Sequence, residues 1–158
     1  MELIKFNPIG IIHSPFKDSK GIPRQASGAS DVAAEIEIYK EYMEGLSDLD
    51  GFSHLVVIFH LHLVTRSSLK AHPPWDNKEH GVFATRSPHR PNPIGVSVVR
   101  LENIDGNILH ISGVDMLDGT PLLDIKPYIP NLNPADNVRI GWLEGKVEGM
   151  TKSKSGDR

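Results

Sequence analysis

VSVVRLENIDGNILHISGVDML, residues 96–117, decides the class of fold. Its two halves, 96–104 and 107–117, are rich in the Val, Ile and Leu that suit a pleated, half-buried surface, and Asp105-Gly106 stands between them. A two-residue hairpin turn needs positive φ at both central positions, a need that Asp-Gly meets, so the halves are predicted to pair as a β-hairpin. Outward from it, further strands follow. SHLVVIFHLHLV, 53–64, is the most hydrophobic run and predicts a central strand buried on both faces, and GVFATRS, 81–87, predicts another. PLLDIKPYIP, 121–130, reads as a strand that prolines terminate. AEIEIY, 34–39, alternates Ile36 and Ile38 with Glu35 and Glu37, a strand with one wet face, and KFNPIGIIHSPF gives a short strand ending at Ser14-Pro15. Two segments read as short helices: YKEYMEGLSDLDGF, with Tyr39, Tyr42, Met43 and Leu46 on one side, and PADNVRIGWLE, 134–144, with Pro134 in its first turn. Many short strands and few helices point to a mainly β domain, a barrel or sandwich with helical additions.

The 158 residues accommodate one domain, expected over 1–148, followed by a polar tail, 149–158, that reads as disordered. No apolar run approaches the roughly 20 residues needed to span a bilayer, and the start, MELIKFNPIG, carries no secretory signal. Absence of cysteine excludes disulfide and thiolate chemistry and fits a cytoplasmic location. The net charge of −3 argues against binding nucleic acid by bulk electrostatics, but the charge is unevenly spread. Residues 31–50 hold seven acids against Lys40 alone, whereas 81–100 hold Arg86, Arg90 and Arg100 and no acid. One face of an acidic protein can therefore meet an anionic ligand, or the two segments can simply pair.

Five patches place polar side chains at the ends of apolar strands. In IPRQ, 22–25, Pro23 fixes the backbone while Arg24 and Gln25 offer forked donors. In FSHLVVIFHLHL, His60 and His62 point to the same face of a strand; two histidines alone make an incomplete metal site, and they serve equally as structural or ligand-lining residues. In TRSPHRPNPIG, Pro88, Pro91 and Pro93 strip donors from the backbone and stiffen a loop that presents Arg86 and Arg90 with little entropy left to lose. Asp118-Gly119-Thr120-Pro121 is a turn with an aspartate and exposed amides suited to a ribose or an adenine, or merely a hairpin turn. Asp124, Lys126 and Tyr128 alternate along one face of the last strand, as a substrate-facing row or a structural ion pair. No glycine-rich phosphate loop, nucleophile elbow or zinc helix motif is present, so a Rossmann cofactor site is not expected.

The succession GIIHSPF, IPRQ, FSHLVVIFHLH, GVFATRSPHRPNPIGVSVVRL and DMLDGTPLLDIKPYIP strongly resembles the TsaA-like family of small β-barrel methyltransferases, over about residues 6–144. The resemblance implies a single-domain β-barrel that is not a Rossmann fold, works as a homodimer, and binds S-adenosylmethionine. It further implies methyl transfer to N6 of threonylcarbamoyladenosine at position 37 of tRNA, in the anticodon loop. Carried over by motif, the cofactor contacts would be Pro23, Arg24, Gln25, His62, Leu63, Arg86, Val96, Asp118, Gly119, Thr120 and Pro121. Some relatives carry glutamine where Leu63 stands, so that contact would run through backbone. Arg90, Asn92, Asp124, Lys126 and Tyr128 are the candidates for substrate contact, with Arg90 the preferred anchor for an anionic group, and no catalytic base or metal ligand is assigned. Two other classes remain: a non-catalytic module that senses S-adenosylmethionine or a nucleotide, and a methyltransferase with a different substrate.

Overall fold

A computed structural model describes residues 1–18, 31–132 and 135–152, so Pro23, Arg24 and Gln25 lie outside the described residues. Eight strands run in chain order: β1 Gly10–His13, β2 Ala33–Ile38, β3 His54–His60, β4 Lys70–Ala71, β5 His80–Gly81, β6 Ile94–Asp105, β7 Ile108–Ser112 and β8 Thr120–Pro127. Six of them close an antiparallel barrel in the order β1-β2-β7-β6-β3-β8, and β4 pairs with β5 separately. A barrel rather than a sandwich is the outcome, and alternation explains its interior. Ile36 and Ile38 of β2, Leu55, Val57 and Phe59 of β3, Val99 and Leu101 of β6, Leu109 and Ile111 of β7 and Leu122 of β8 all turn inward and are buried. Burying each such side chain contributes about 1.5–3 kcal/mol.

Every barrel strand pairs with two neighbours, and the longest, β6, divides its length between them. The first half of β6 pairs with β3, from Ile94↔His60 to Arg100↔His54, and the second half pairs with β7 as far as Asp105↔Ile108. Register shifts between Leu101 and Asn103 on β6, and beside Ile58 and Phe59 where β3 meets β8, mark bulges that increase local twist and let a six-stranded sheet curl shut. An eight-stranded barrel is just wide enough for side chains to fill, so six strands leave no room for an internal ligand. Any site must therefore lie at an end or on the outside.

Several sequence expectations shift. The hairpin forms, but its two-residue loop is Gly106-Asn107, with positive φ at Gly106 only (60°), so the first central position alone needs the glycine. β3 stops at His60 and buries one face, since Val56 and Ile58 are only half-buried. GVFATRS is not a strand: after His80–Gly81 the chain enters a 3-10 turn, Val82–Ala84, so Arg86 stands in a loop. Residues 40–46 form a 3-10 rather than an α-helix. PADNVRIGWLE is not helical over 135–140, where Asn137 and Gly141 take positive φ; a 3-10 turn spans Gly141–Leu143 instead. A short helix, α1, spans Val147–Lys152, and its Gly149 lies against Trp75.

Two strands touch so closely that a glycine is required. A Cβ on Gly10 would overlap the carbonyl of Glu37 on β2, and one on Gly95 would overlap the Phe59 ring. Gly10→Ala meets backbone that cannot rotate away, so it is expected to destabilise by about 1–3 kcal/mol; urea unfolding checks this.

Candidate functional site

In an antiparallel barrel alternate connections leave from the same end. Here the chain leaves β1 at His13, β3 at His60 and β7 at Ser112, and re-enters at Ala33, Ile94 and Thr120. The register shows neighbouring termini side by side: Ile12 faces Thr120, Ala33 faces Ser112, and His60 faces Ile94. The segments 61–93 and 113–119 thus leave the barrel in the same direction as the described residues after β1, 14–18, and they carry the HL and TRSPHRPNP motifs and the Asp118-Gly119 turn. Val96 lies at the same end, two residues into β6.

The loop 85–93 holds itself together through Arg90. Its Nη1 donates to the carbonyls of Thr85 (3.2 Å) and Ser87 (3.0 Å), the two residues that flank Arg86. Arg90 is half-buried and acts through Nη1 as a brace. Arg86 is exposed, and its Nη2 lies 3.4 Å from the Val96 carbonyl, which brings two of the expected cofactor residues into contact. Further ties pin the loop to its surroundings: the Leu61 amide donates to Pro93 O and the Ser68 amide to His89 O. Asn92 is exposed beside them, and its carbonyl accepts from the Ile94 amide.

His60 and His62 do not share a strand face. His60 is the last residue of β3, and the His62 amide donates back to His60 O (2.8 Å) in a tight turn, leaving His62 half-buried and Leu63 exposed. Among the described residues no group of three His, Cys, Asp or Glu side chains is placed to hold a metal.

The Asp118 turn also differs from expectation, since its amides are not free. Asp118 N donates to Phe16 O, Gly119 N to Ile12 O and Thr120 N to Leu117 O. The Asp118 carboxylate accepts from the Ser14 amide (3.0 Å) and from Lys17 Nζ (2.5 Å). Lys17, and then the Ser14 amide, hold that carboxyl below the usual carboxylate range. The turn therefore ties β8 to the end of β1, and what it can offer a ligand is shape and carbonyl oxygen. S-adenosylmethionine, implied by the sequence resemblance, carries a carboxylate on its amino-acid end. Exposed Arg86, held in place by its braced loop, fits that anion; the committed amides of Asp118, Gly119 and Thr120 do not supply donors to it.

The substrate candidates divide. Ile58 faces Val96 on one side and Asp124 on the other, so the three form a row on the outer surface, with Asp124 about 10 Å from Val96. Asp124 pairs with Lys126 at 2.9 Å, and both side chains are exposed. Tyr128 lies beyond β8 beside His54 (ring centroids 6.2 Å), toward the opposite end from Arg90 and Asn92. Within one chain, then, Asp124 stands near the loop residues and Tyr128 does not.

Sequence reasoning passed over the aromatic wall next to Arg86. The segment 141–152 folds against 72–84 and is held by one carboxylate. Asp76, 8% exposed, accepts from His80 Nε2 at 2.7 Å and from Lys146 Nζ at 2.9 Å. The His80 ring stacks on Trp142 (3.9 Å, 17°), whose Nε1 donates to Ala84 O at 2.8 Å. Trp75, Phe83, Arg86 and Trp142 line a cleft of about 250 Å3. The available signal was that both tryptophans fall near loop-forming residues, PPWD and IGWL, but no spacing rule links positions so distant.

Hydrogen bonds from Lys146, then His80, then the Asn77 amide hold the Asp76 carboxyl far below the usual range, against desolvation that opposes them. A lowered folded-state value means the contribution is fully present above about pH 4 and is lost as pH falls through that lowered value. Asp76→Asn is therefore expected to melt at a lower temperature than the parent at pH 7, with the gap closing below about pH 4; melting curves across that range test it.

Comparison with known proteins places this geometry. Residues 11–134 match the family model described as the tRNA-methyltransferase O N-terminal domain. A Pyrococcus abyssi protein described as "Probable S-adenosyl-L-methionine-binding protein" is 53% identical over 156 residues, covering 99% of this chain and 85% of the relative. The Mus musculus tRNA (adenine(37)-N6)-methyltransferase is 41% identical over 92% of this chain, which spans 37% of that protein. The crystal structure of TrmO from Pseudomonas aeruginosa superimposes with a TM-score of 0.74 at 38% identity, covering 89% of this chain and 63% of that one. The match of the family model to most of the chain, on a barrel that the TrmO structure shares, makes this protein a member of the tRNA-methyltransferase O family, the TsaA-like family its motifs resemble.

Proposed function

We infer that this protein transfers a methyl group from S-adenosylmethionine to N6 of threonylcarbamoyladenosine at position 37 of tRNA. The observation that carries the reading is the contact between Arg86 and Val96 at the loop-bearing end of a barrel of this family. When bound, the cofactor supplies an electrophilic methyl group on a sulfonium. The chain's own work is mainly to hold two partners in line, because such a displacement draws most of its acceleration from proximity and orientation. Arg86 is assigned to the cofactor carboxylate, with His62, Leu63 and Val96 beside it and the Asp118–Pro121 turn as supporting wall. Pro23, Arg24 and Gln25 of the IPRQ motif are assigned to the cofactor as well. Asn92 is assigned to the acceptor side, and Arg90 serves the cofactor side by fixing the backbone on both sides of Arg86. Asp124 and Lys126 stand near the same surface, and Tyr128 reaches an acceptor only across a subunit boundary.

A homodimer belongs to this reading. Ile94 (40%), Val96 (46%) and Val98 (39%) expose apolar side chains along the outer face of β6, beside half-buried Val56 and Ile58 of β3. Such a stripe favours association. No helix among the described residues is long and apolar enough to cross a membrane; a cytoplasmic location belongs to this reading.

Transfer of radiolabelled methyl groups to bulk tRNA, followed by nucleoside mass spectrometry, tests the function: label in N6-methylated threonylcarbamoyladenosine is expected, and tight cofactor binding with no transfer to any tRNA would leave a sensor. Calorimetry separates the arginines. Loss of a charge-assisted contact of about 1.5–3 kcal/mol in Arg86→Ala should weaken cofactor binding by tenfold or more. Arg90→Ala, which releases both flanking carbonyls, should weaken it several-fold as well, a result that an arginine serving the RNA alone would not give. Val98→Glu, which puts a charge in the apolar stripe, should shift the chain to monomer in light scattering.

A further inference from the structure

We propose that the cleft between Trp75, Phe83 and Trp142 is the pocket for the acceptor base: it takes an unstacked purine of single-stranded RNA and holds it beside Arg86. The inference deepens the functional reading above and rests on it for the identity of the base, while the pocket itself is argued from the following geometry.

Phe83 is 76% exposed although it lies among ordered neighbours in a 3-10 turn, so a large aromatic face stands open to solvent at the cleft. The opposite wall is rigid. Trp142 is fixed at three points, by its Nε1 to Ala84 O, by His80 stacked on its ring, and by Lys146, whose Nζ lies 5.9 Å from the ring centroid and is tied to Asp76. Trp75 is packed against α1 at Gly149. Aromatic faces held without freedom to collapse suit stacking of a base, which contributes about 1–3 kcal/mol per base. At about 250 Å3 the cleft is smaller than the roughly 300–1,000 Å3 that ordinary ligand pockets occupy, which suits one base better than a whole cofactor.

Charge and position narrow the occupant to RNA. Arg86 lines this cleft and also touches Val96, so a base held here sits next to the residues assigned to the methyl donor. Arg86 brings an exposed cation to the cleft, and Asp76, the acid bonded to Trp142's stacking partner His80, is also paired with Lys146. A polyanion that delivers a splayed-out base meets complementary charge there. The C-terminal segment, 141–152, thereby acquires a role: it supplies Trp142 and completes the pocket wall.

Trp75 and Trp142 are the chain's only two tryptophans, so intrinsic emission reports on this cleft alone. The probes are an anticodon stem-loop bearing threonylcarbamoyladenosine, the same stem-loop with an abasic site there, and S-adenosylmethionine by itself. The intact stem-loop is expected to quench emission saturably, the abasic one to bind about tenfold more weakly without quenching, and the cofactor alone to leave emission unchanged. Phe83→Ala should cut stem-loop affinity about tenfold while calorimetric affinity for S-adenosylmethionine stays at the parent value, and Phe83→Tyr, which keeps an aromatic face, should restore it. Equal quenching by the abasic stem-loop, quenching by the cofactor alone, or parental stem-loop affinity in Phe83→Ala would each overturn the pocket. Methyl transfer by the parent chain without quenching sinks the pocket and leaves the reaction standing; quenching without transfer does the reverse.

Discussion

Leu122 is held from both sides: its backbone faces Gly10 of β1 and Phe59 of β3, and at that residue the sheet becomes a barrel. Its side chain is fully buried, as are those of Ile12 and Leu55 on the strands beside it. Everything functional follows from that closure. A closed six-stranded barrel has no edge for a peptide and no interior for a ligand, so chemistry is displaced to the connections. Antiparallel order then sends the connections after β1, β3 and β7 out of the same end. The arrangement brings the Arg86 loop and the Asp118 turn to that end without any element dedicated to the purpose.

The barrel was legible from the sequence where period and turn chemistry agreed. AEIEIY became β2 with Ile36 and Ile38 inside, and the Gly106 hairpin set the pairing of β6 with β7. What misled was composition read without neighbours. GVFATRS looks like a strand because Val, Phe and Thr favour extended backbone, but only His80 and Gly81 find a partner, in β4, and without a ladder the chain turns at Val82. SHLVVIFHLHLV reads as buried throughout, yet the pleat can bury only the face that carries Leu55, Val57 and Phe59. PADNVRIGWLE fails as a helix because Asn137 and Gly141 both adopt positive φ, which ends a helical register twice within five residues.

The candidate site was legible as motifs and not as roles. Arg86 and Arg90 look alike in TRSPHRPNP, and only the geometry separates them. Arg90 places its guanidinium on Thr85 O and Ser87 O, so its charge stabilises carbonyl dipoles in a half-buried loop; Arg86, between those two carbonyls, is left exposed and directed to Val96. The Asp118 turn inverts in the same way. Its residues resemble a ligand-binding loop, but its amides serve Phe16, Ile12 and Leu117, and its carboxylate serves Ser14 and Lys17. An amide that closes a turn cannot also bind a ligand strongly, and leaving it unpaired would cost about 1–3 kcal/mol. Side chains so committed hold the barrel end together.

Asp76 applies the same logic to the aromatic wall. An exposed ion pair contributes little, because solvent screens it and two long side chains must be ordered. Asp76 escapes that limit by accepting from three groups at once, Lys146, His80 and the Asn77 amide, while its side chain is largely covered. The second of these groups is also the ring on which Trp142 stacks. A single carboxylate therefore couples the residues that follow the barrel, 141–152, to the loop that precedes Arg86. The wall it fixes is remote in sequence from every recognisable motif, and its position depends on an interaction that only the fold brings into being. That dependence explains why reading motifs passes over the wall: it is assembled from segments separated by more than fifty residues.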